Sequence, residues 1–162
     1  MHMIFKRRHW ACLANVALIL ISLGTSHNCG PRDRPQCGQY DEFFALGPTD
    51  QRNSDFRNYP IETQLEIYIC GWYCEPAPRY YADYIADRGE EVISSVVDRL
   101  QRERREFSQQ ALVYILVRIA NKGYLRGRLD VLDAITPIVS SMKNQLTRQS
   151  SQQYLDEIKK YV

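Results

Sequence analysis

Residues 60–74, PIETQLEIYICGWYC, decide the fold. Pro60 suits a first helical position, because its missing N–H is one that a helix start leaves unbonded. Glu62 and Glu66 suit the positive end of the helix dipole. Ile61, Leu65, Tyr68, Ile69 and Trp72 then recur at the three- and four-residue spacing of one apolar helix face. Pro76 and Pro78 end the run.

Outward toward the C-terminus the same period continues. A second helix is expected from near Arg79 through Tyr81, Tyr84 and Ile85, stopping at Gly89 in a left-handed cap. A third, from Glu90 to about Glu103, puts Val92, Val96, Val97 and Leu100 on one face. A fourth, with Ser108 as N-cap, runs through Leu112, Ile115, Leu116 and Ile119 until Gly123 stops it. Leu129, Leu132, Ile135, Val139, Met142 and Leu146 keep a helical period through Pro137, where a kink or a restart capped by Thr136 is expected. Tyr154, Leu155, Ile158 and Tyr161 form a short closing helix. No stretch alternates with a period of two, so residues 60–162 read as an all-α domain of antiparallel helical hairpins.

Leu65 and Tyr68 of the first helix echo Leu112 and Ile115 of the fourth, 47 residues on, each opening a helix pair. Over roughly residues 60–148 this spacing resembles HEAT-like helical repeats. The resemblance implies a short array of stacked hairpins; a compact bundle explains the same pattern.

Outward toward the N-terminus the composition changes twice. Residues 27–59 are rich in Gly, Pro, Asn and Asp and read as an irregular segment with a small aromatic patch at Tyr40, Phe43 and Phe44. Before it, Lys6, Arg7 and Arg8 precede the uncharged run Trp10–Gly24, the layout of a secretory signal peptide over residues 1–26. Fifteen residues are short of the roughly 20 a spanning helix needs. Cleavage is expected after Gly24 or Ser26. Removing 26 of the 162 residues leaves 136 and takes away three basic ones, so the net charge of +2 becomes −1. Neither value announces a nucleic-acid partner. The only histidines are His2, His9 and His27, so the expected mature domain has no internal histidine for Ser-His-Asp or Cys-His catalysis or for metal ligation.

Cys12 leaves with the leader, and Cys29, Cys37, Cys70 and Cys74 remain, an even set in a chain bound for an oxidising compartment, secreted or periplasmic. Cys70 and Cys74 share a helix face with nearly parallel side-chain vectors, which strains a direct bridge. Crosslinks from the N-terminal segment to the helix are expected instead, either Cys29–Cys70 with Cys37–Cys74 or the crossed version. The C-x7-C and C-x3-C spacings depart from those of four-cysteine zinc sites, and no metal or other cofactor is implied. A lipidated Cys29 would tether the chain to a membrane, but His27 and Asn28 do not fit a lipoprotein signal.

Aromatic density marks the candidate binding surface: Trp72 and Tyr73 end the first helix, and Arg79, Tyr80, Tyr81 and Tyr84 follow the proline turn. Tyr, Trp and Arg are the types enriched at binding hot spots. Tyr68, Trp72, Tyr81 and Tyr84 also fall on buried stripes, whereas Tyr73 and Tyr80 fall off them. The run Asp98–Glu106 (DRLQRERRE) carries four arginines, nearly balanced, and reads as a solvated helix end rather than a phosphate or membrane contact. Glu62 with Glu66 and Asp83 with Asp87 stand one turn apart, as a carboxylate enzyme could use them, but read as surface pairs. G-x-G-x-x-G, G-x-x-x-x-G-K, G-x-S-x-G and H-E-x-x-H are all absent. The expected function is an exported helical binding or inhibitor module without catalysis, its partner another exported protein. The alternatives are a membrane-tethered envelope protein, with the leader retained or Cys29 acylated, and a carboxylate-dependent enzyme.

Overall fold

A computed structural model describes residues 35–45, 49–74 and 77–162, so the leader, Cys12 and Cys29 lie outside the described residues. Eight α-helices follow in order: α1 Asp41–Ala45, α2 Asp50–Asn58, α3 Ile61–Trp72, α4 Tyr81–Ala86, α5 Ile93–Arg102, α6 Glu106–Asn121, α7 Leu129–Ser141 and α8 Gln145–Ile158. Single 3-10 turns occupy Gly38–Tyr40 and Gly89–Val92, and the described residues contain no strand. The all-α expectation holds. No helix among the described residues is long and apolar enough to cross a membrane.

Helix α6 is the hub. Leu112, Ile115, Leu116 and Ile119 are fully buried, as the sequence period requires, but so are Ala111, Val113 and Ala120 on its other sides. Helices α3, α4, α5 and α8 all pack against it, and α7 closes over α5 and α8. The two helices of the 47-residue echo, α3 and α6, contact each other directly. Burying each such Leu or Ile side chain stabilises the fold by about 1.5–3 kcal/mol.

Helix ends follow the sequence at Gly89 and Gly123, whose positive φ values of 76° and 84° are the left-handed conformation a stop requires. Three expectations are corrected. Helix α6 begins at Glu106, with Arg105 at the cap position, and Ser108 is fully buried inside its first turns with its hydroxyl 3.0 Å from that of Tyr73. Pro137 sits inside a continuous α7; Thr136 caps nothing, because its hydroxyl donates back to the Leu132 carbonyl at 2.7 Å. The apolar run then breaks before Leu146, which is 75% exposed. Asn144 caps a new helix by accepting from the Thr147 N–H at 3.0 Å, and Glu106 accepts from the N–H groups of Lys143 and Asn144 at 2.6 and 2.8 Å.

The segment expected to be irregular is partly helical. Helix α2 has one large apolar residue, Phe56, and so no readable period, yet it is held at both ends. Thr49 caps its start, its hydroxyl accepting from the Arg52 N–H at 3.1 Å. At the other end the buried amide of Gln64 lies 2.9, 3.1 and 3.0 Å from the carbonyls of Phe56, Arg57 and Tyr59, which a helix C-terminus leaves without partners.

Cys37 is bonded to Cys70, which ties the N-terminal segment to α3 across 33 residues of sequence. On the chain-entropy account a bridge of that span stabilises by roughly 3–4 kcal/mol. It is one of the two bridges of the crossed arrangement, whose other member joins Cys29 to Cys74. Cys74 itself is buried, one helical turn after Cys70.

Gly71 lies where the proline turn crosses α3: a Cβ there would stand 2.7 Å from Pro78 Cγ and 3.2 Å from Phe44 Cε1. Helix propensity favours alanine over glycine by about 1 kcal/mol, but overpacking costs about 1–3 kcal/mol. Gly71→Ala is therefore expected to lower the urea midpoint, and a raised midpoint would show that the turn can give way.

Candidate binding surface

The six residues marked by aromatic density separate into two clusters. Tyr80, Tyr81 and Tyr84 turn out to anchor α2. Tyr81 is fully buried and stacks on Phe56 at 4.2 Å between ring centroids. The buried guanidinium of Arg52 donates from Nη2 to the Tyr80 hydroxyl at 2.9 Å and from Nη1 to the Phe43 carbonyl at 3.3 Å. It also lies 5.4 Å from the Phe43 ring and 5.9 Å from that of Tyr81. Arg57 covers the Tyr84 ring at 4.1 Å. A buried cation is tolerable where aromatic faces and oxygen acceptors surround it.

Trp72, Tyr73 and Arg79 form the second cluster, together with three residues the sequence reading did not single out: Phe107 and Tyr114 of α6 and Tyr154 of α8. Trp72 is only 5% exposed and forms the floor, with its ring 5.5 Å from Tyr114 and 6.3 Å from Phe107. The exposed guanidinium of Arg79 lies over this floor, 5.4 Å from the Trp72 ring and 5.8 Å from the Tyr114 ring. Tyr73 meets Phe107 edge-on at 4.9 Å, and Tyr114 meets Tyr154 edge-on at 5.3 Å. Phe107 is 41% exposed, and Arg79 pairs with no carboxylate among the described residues. Burial pushes the Tyr68 and Tyr154 hydroxyls up, with Arg79 opposing the rise in each case. These hydroxyls therefore stay protonated at ordinary pH. Tyr114 and Phe107 stand seven apart on α6, and that spacing was the available signal; Tyr154 had none.

The paired carboxylates are engaged separately. Asp83 accepts from Arg118 and Asp87 from Lys122, each at 2.6 Å, joining α4 to α6. The bond to Asp83 raises the Arg118 value against the cost of burial. Both pairs are about one-third exposed or more, so each contributes at most about 1 kcal/mol. Glu62 is exposed, and Glu66 accepts from the Tyr40 hydroxyl at 2.6 Å.

The DRLQRERRE run is less solvated than expected, because Glu103 is buried. Its carboxylate accepts from the Arg104 and Arg105 N–H groups at 3.0 Å each and from Arg105 Nε and Nη2 at 2.9 Å each. Burial pushes the Glu103 carboxyl up, but these donors outweigh it and hold the carboxyl below its ordinary value. Beside this turn a cleft of about 170 Å³ opens between the N-terminal segment and α3, with Tyr40, Glu66, Arg99 and Arg105 in its walls. Among the described residues no three Cys, Asp, Glu or His side chains are grouped to hold a metal ion.

No protein-family model, curated protein or solved structure matches the chain.

Burial, the bond to Glu66 and that carboxylate's charge push the Tyr40 hydroxyl from 10.0 up to about 12. A folded-state value above the unfolded one means that this stabilisation is fully present below about pH 10 and is lost as the pH rises through about 12. Burial pushes the Tyr68, Tyr81 and Tyr154 hydroxyls up as well, so the comparison is with Tyr40→Phe. The stability advantage of the wild type over Tyr40→Phe, read from urea midpoints, is expected to shrink between about pH 8 and about pH 11.5. A gap that stays constant would count against the Tyr40–Glu66 bond.

Proposed function

We propose that this chain is an exported binding protein without catalytic activity, and that its partner surface is the face made by Tyr73, Arg79, Phe107, Tyr114 and Tyr154 over Trp72. Export rests on the leader-like first 26 residues and on the Cys37–Cys70 bridge, which an oxidising compartment favours. The observation that carries the binding role is Arg79: an exposed guanidinium with no carboxylate partner among the described residues, lying over two aromatic rings beside an exposed Phe107. Arg, Trp and Tyr at the centre of a patch with a rigid floor are the composition of a hot spot, where few side chains hold most of the affinity. The partner is accordingly another exported protein, presenting a carboxylate to Arg79 and an apolar or aromatic side chain to Phe107 and Tyr73.

The test places a photo-crosslinking phenylalanine analogue at position 107, and at exposed Leu146 as a control, in protein expressed in its own cells and recovered from the exported fraction. A single discrete adduct at 107 and none at 146 is expected, from a chain whose intact mass lacks the first 24 or 26 residues. Arg79→Ala should weaken the adduct at least about tenfold, the scale of a hot-spot truncation of about 1.4 kcal/mol. Equal labelling at both positions would overturn the surface, and a retained leader would favour the membrane-tethered reading.

A further inference from the structure

We propose a second binding site, beyond that partner surface: the cleft beside the α5–α6 turn takes the anionic group of a phosphorylated or sulfated sugar. Two hollows meet there. The cleft of about 170 Å³ is lined by Gln36, Gln39 and Tyr40 of the N-terminal segment, by Glu66 of α3, and by Arg99 and Arg105 of α5 and the turn after it. A wider hollow of about 440 Å³ continues past Arg99 and Arg105 to Arg102 and Arg104.

Charge on the arginine side is not matched. Glu103 is the carboxylate of this wall, and both its oxygens are taken up by Arg105 and by two backbone N–H groups. Arg99 reaches Glu103 only at 3.7 Å, and its Nε is buried without a hydrogen-bond partner. Arg102 donates its Nε to the Asp98 carbonyl, and neither Arg102 nor Arg104 pairs with a carboxylate among the described residues. Planar guanidinium forks with spare N–H groups suit a tetrahedral oxyanion, which can accept from two of them at once.

The rest of the lining says what else the ligand carries. A bare dianion would share the cleft with the Glu66 carboxylate. Glu66 is held by the Tyr40 hydroxyl through one oxygen, Oε2, which leaves the other to accept a hydroxyl. The exposed amides of Gln36 and Gln39 offer both donors and acceptors. An oxyanion joined to neighbouring hydroxyls satisfies both parts of the lining, and that is a sugar phosphate or sulfate. The Cys37–Cys70 bridge pins the glutamine wall to α3, and Cys70 itself lines the cleft, so the site belongs to the oxidised protein.

Isothermal titration of the full exported chain with glucose 6-phosphate, inorganic phosphate, glucose and heparin tests this. Binding of glucose 6-phosphate or heparin at least tenfold tighter than that of inorganic phosphate, with none by glucose, is expected. Glucose 6-phosphate as the tighter of the two points to a free metabolite, and heparin to a sulfated polysaccharide. Arg99→Gln should reduce binding at least tenfold, whereas Arg148→Gln, on an exposed stretch of α8, should leave it unchanged. Glu66→Gln should weaken the sugar ligand while sparing inorganic phosphate. The proposal is overturned if neither sugar ligand binds, if inorganic phosphate binds as tightly as they do, or if Arg148→Gln matches Arg99→Gln. None of these outcomes touches the crosslink at Phe107, so the two sites stand or fall separately.

Discussion

Helix α6 has only one narrow stripe it can show to water. Ten of its sixteen residues are buried, and Phe107, Tyr114, Arg118 and Asn121 form a stripe that is not; such a helix is stable only inside a shell of others. Helices α3, α4, α5 and α8 supply that shell. Helix α3, with eight of twelve residues buried, is in turn covered by the N-terminal segment that the Cys37–Cys70 bridge holds against it. The short α1 and the weakly apolar α2 thus have a place because α3 needs a cover. The bridge removes much of the entropic cost of keeping them there.

Packing helices this closely brings their ends into the protein, where orphaned N–H and C=O groups need partners. Side chains of the neighbouring helices provide them. Gln64 of α3 closes the end of α2, and Glu106 of α6 accepts from the two N–H groups that lead into α8. Gln109 donates to the Glu103 carbonyl at 2.7 Å across the α5–α6 turn. These bonds fix where helices stop; those of Gln64 and Gln109 span five to eight residues, and those of Glu106 span 37 and 38.

That explains what could be read beforehand. The helical period of Leu65, Tyr68 and Trp72 and of Leu112, Ile115 and Ile119 is a local signal of burial, and it located α3 and α6. Gly89 and Gly123 were legible because a left-handed stop is a property of one residue. Helix α2 was not, since it docks through Phe56 and a buried Arg52 whose partners, Phe43 and Tyr80, lie 9 and 28 residues away. Ser108 looked like a cap by residue type, but Tyr73 draws its hydroxyl inward. Of the candidate face, Trp72, Tyr73 and Arg79 were visible as a local aromatic run. Phe107 and Tyr154 come from other helices and join them only in three dimensions. Tyr80, Tyr81 and Tyr84 belonged to the same run and went to the scaffold, because α4 turns that face toward α2.

The aromatic face and the arginine cleft flank one turn, Glu103–Phe107, and share its rigidity. A buried carboxylate with four N–H donors has little freedom to reorient. The donors that hold its pKa down also keep Glu103 ionised as the pH falls, so the turn keeps its geometry in mildly acid surroundings. Arg105 is held by that carboxylate on the cleft side, and two residues on, Phe107 stands against Tyr73 on the other. Side chains held before a ligand arrives lose less freedom on binding, which leaves more of the contact energy as affinity. A charge network that costs desolvation and adds little to stability on its own therefore makes physical sense here as the frame of the two proposed recognition surfaces.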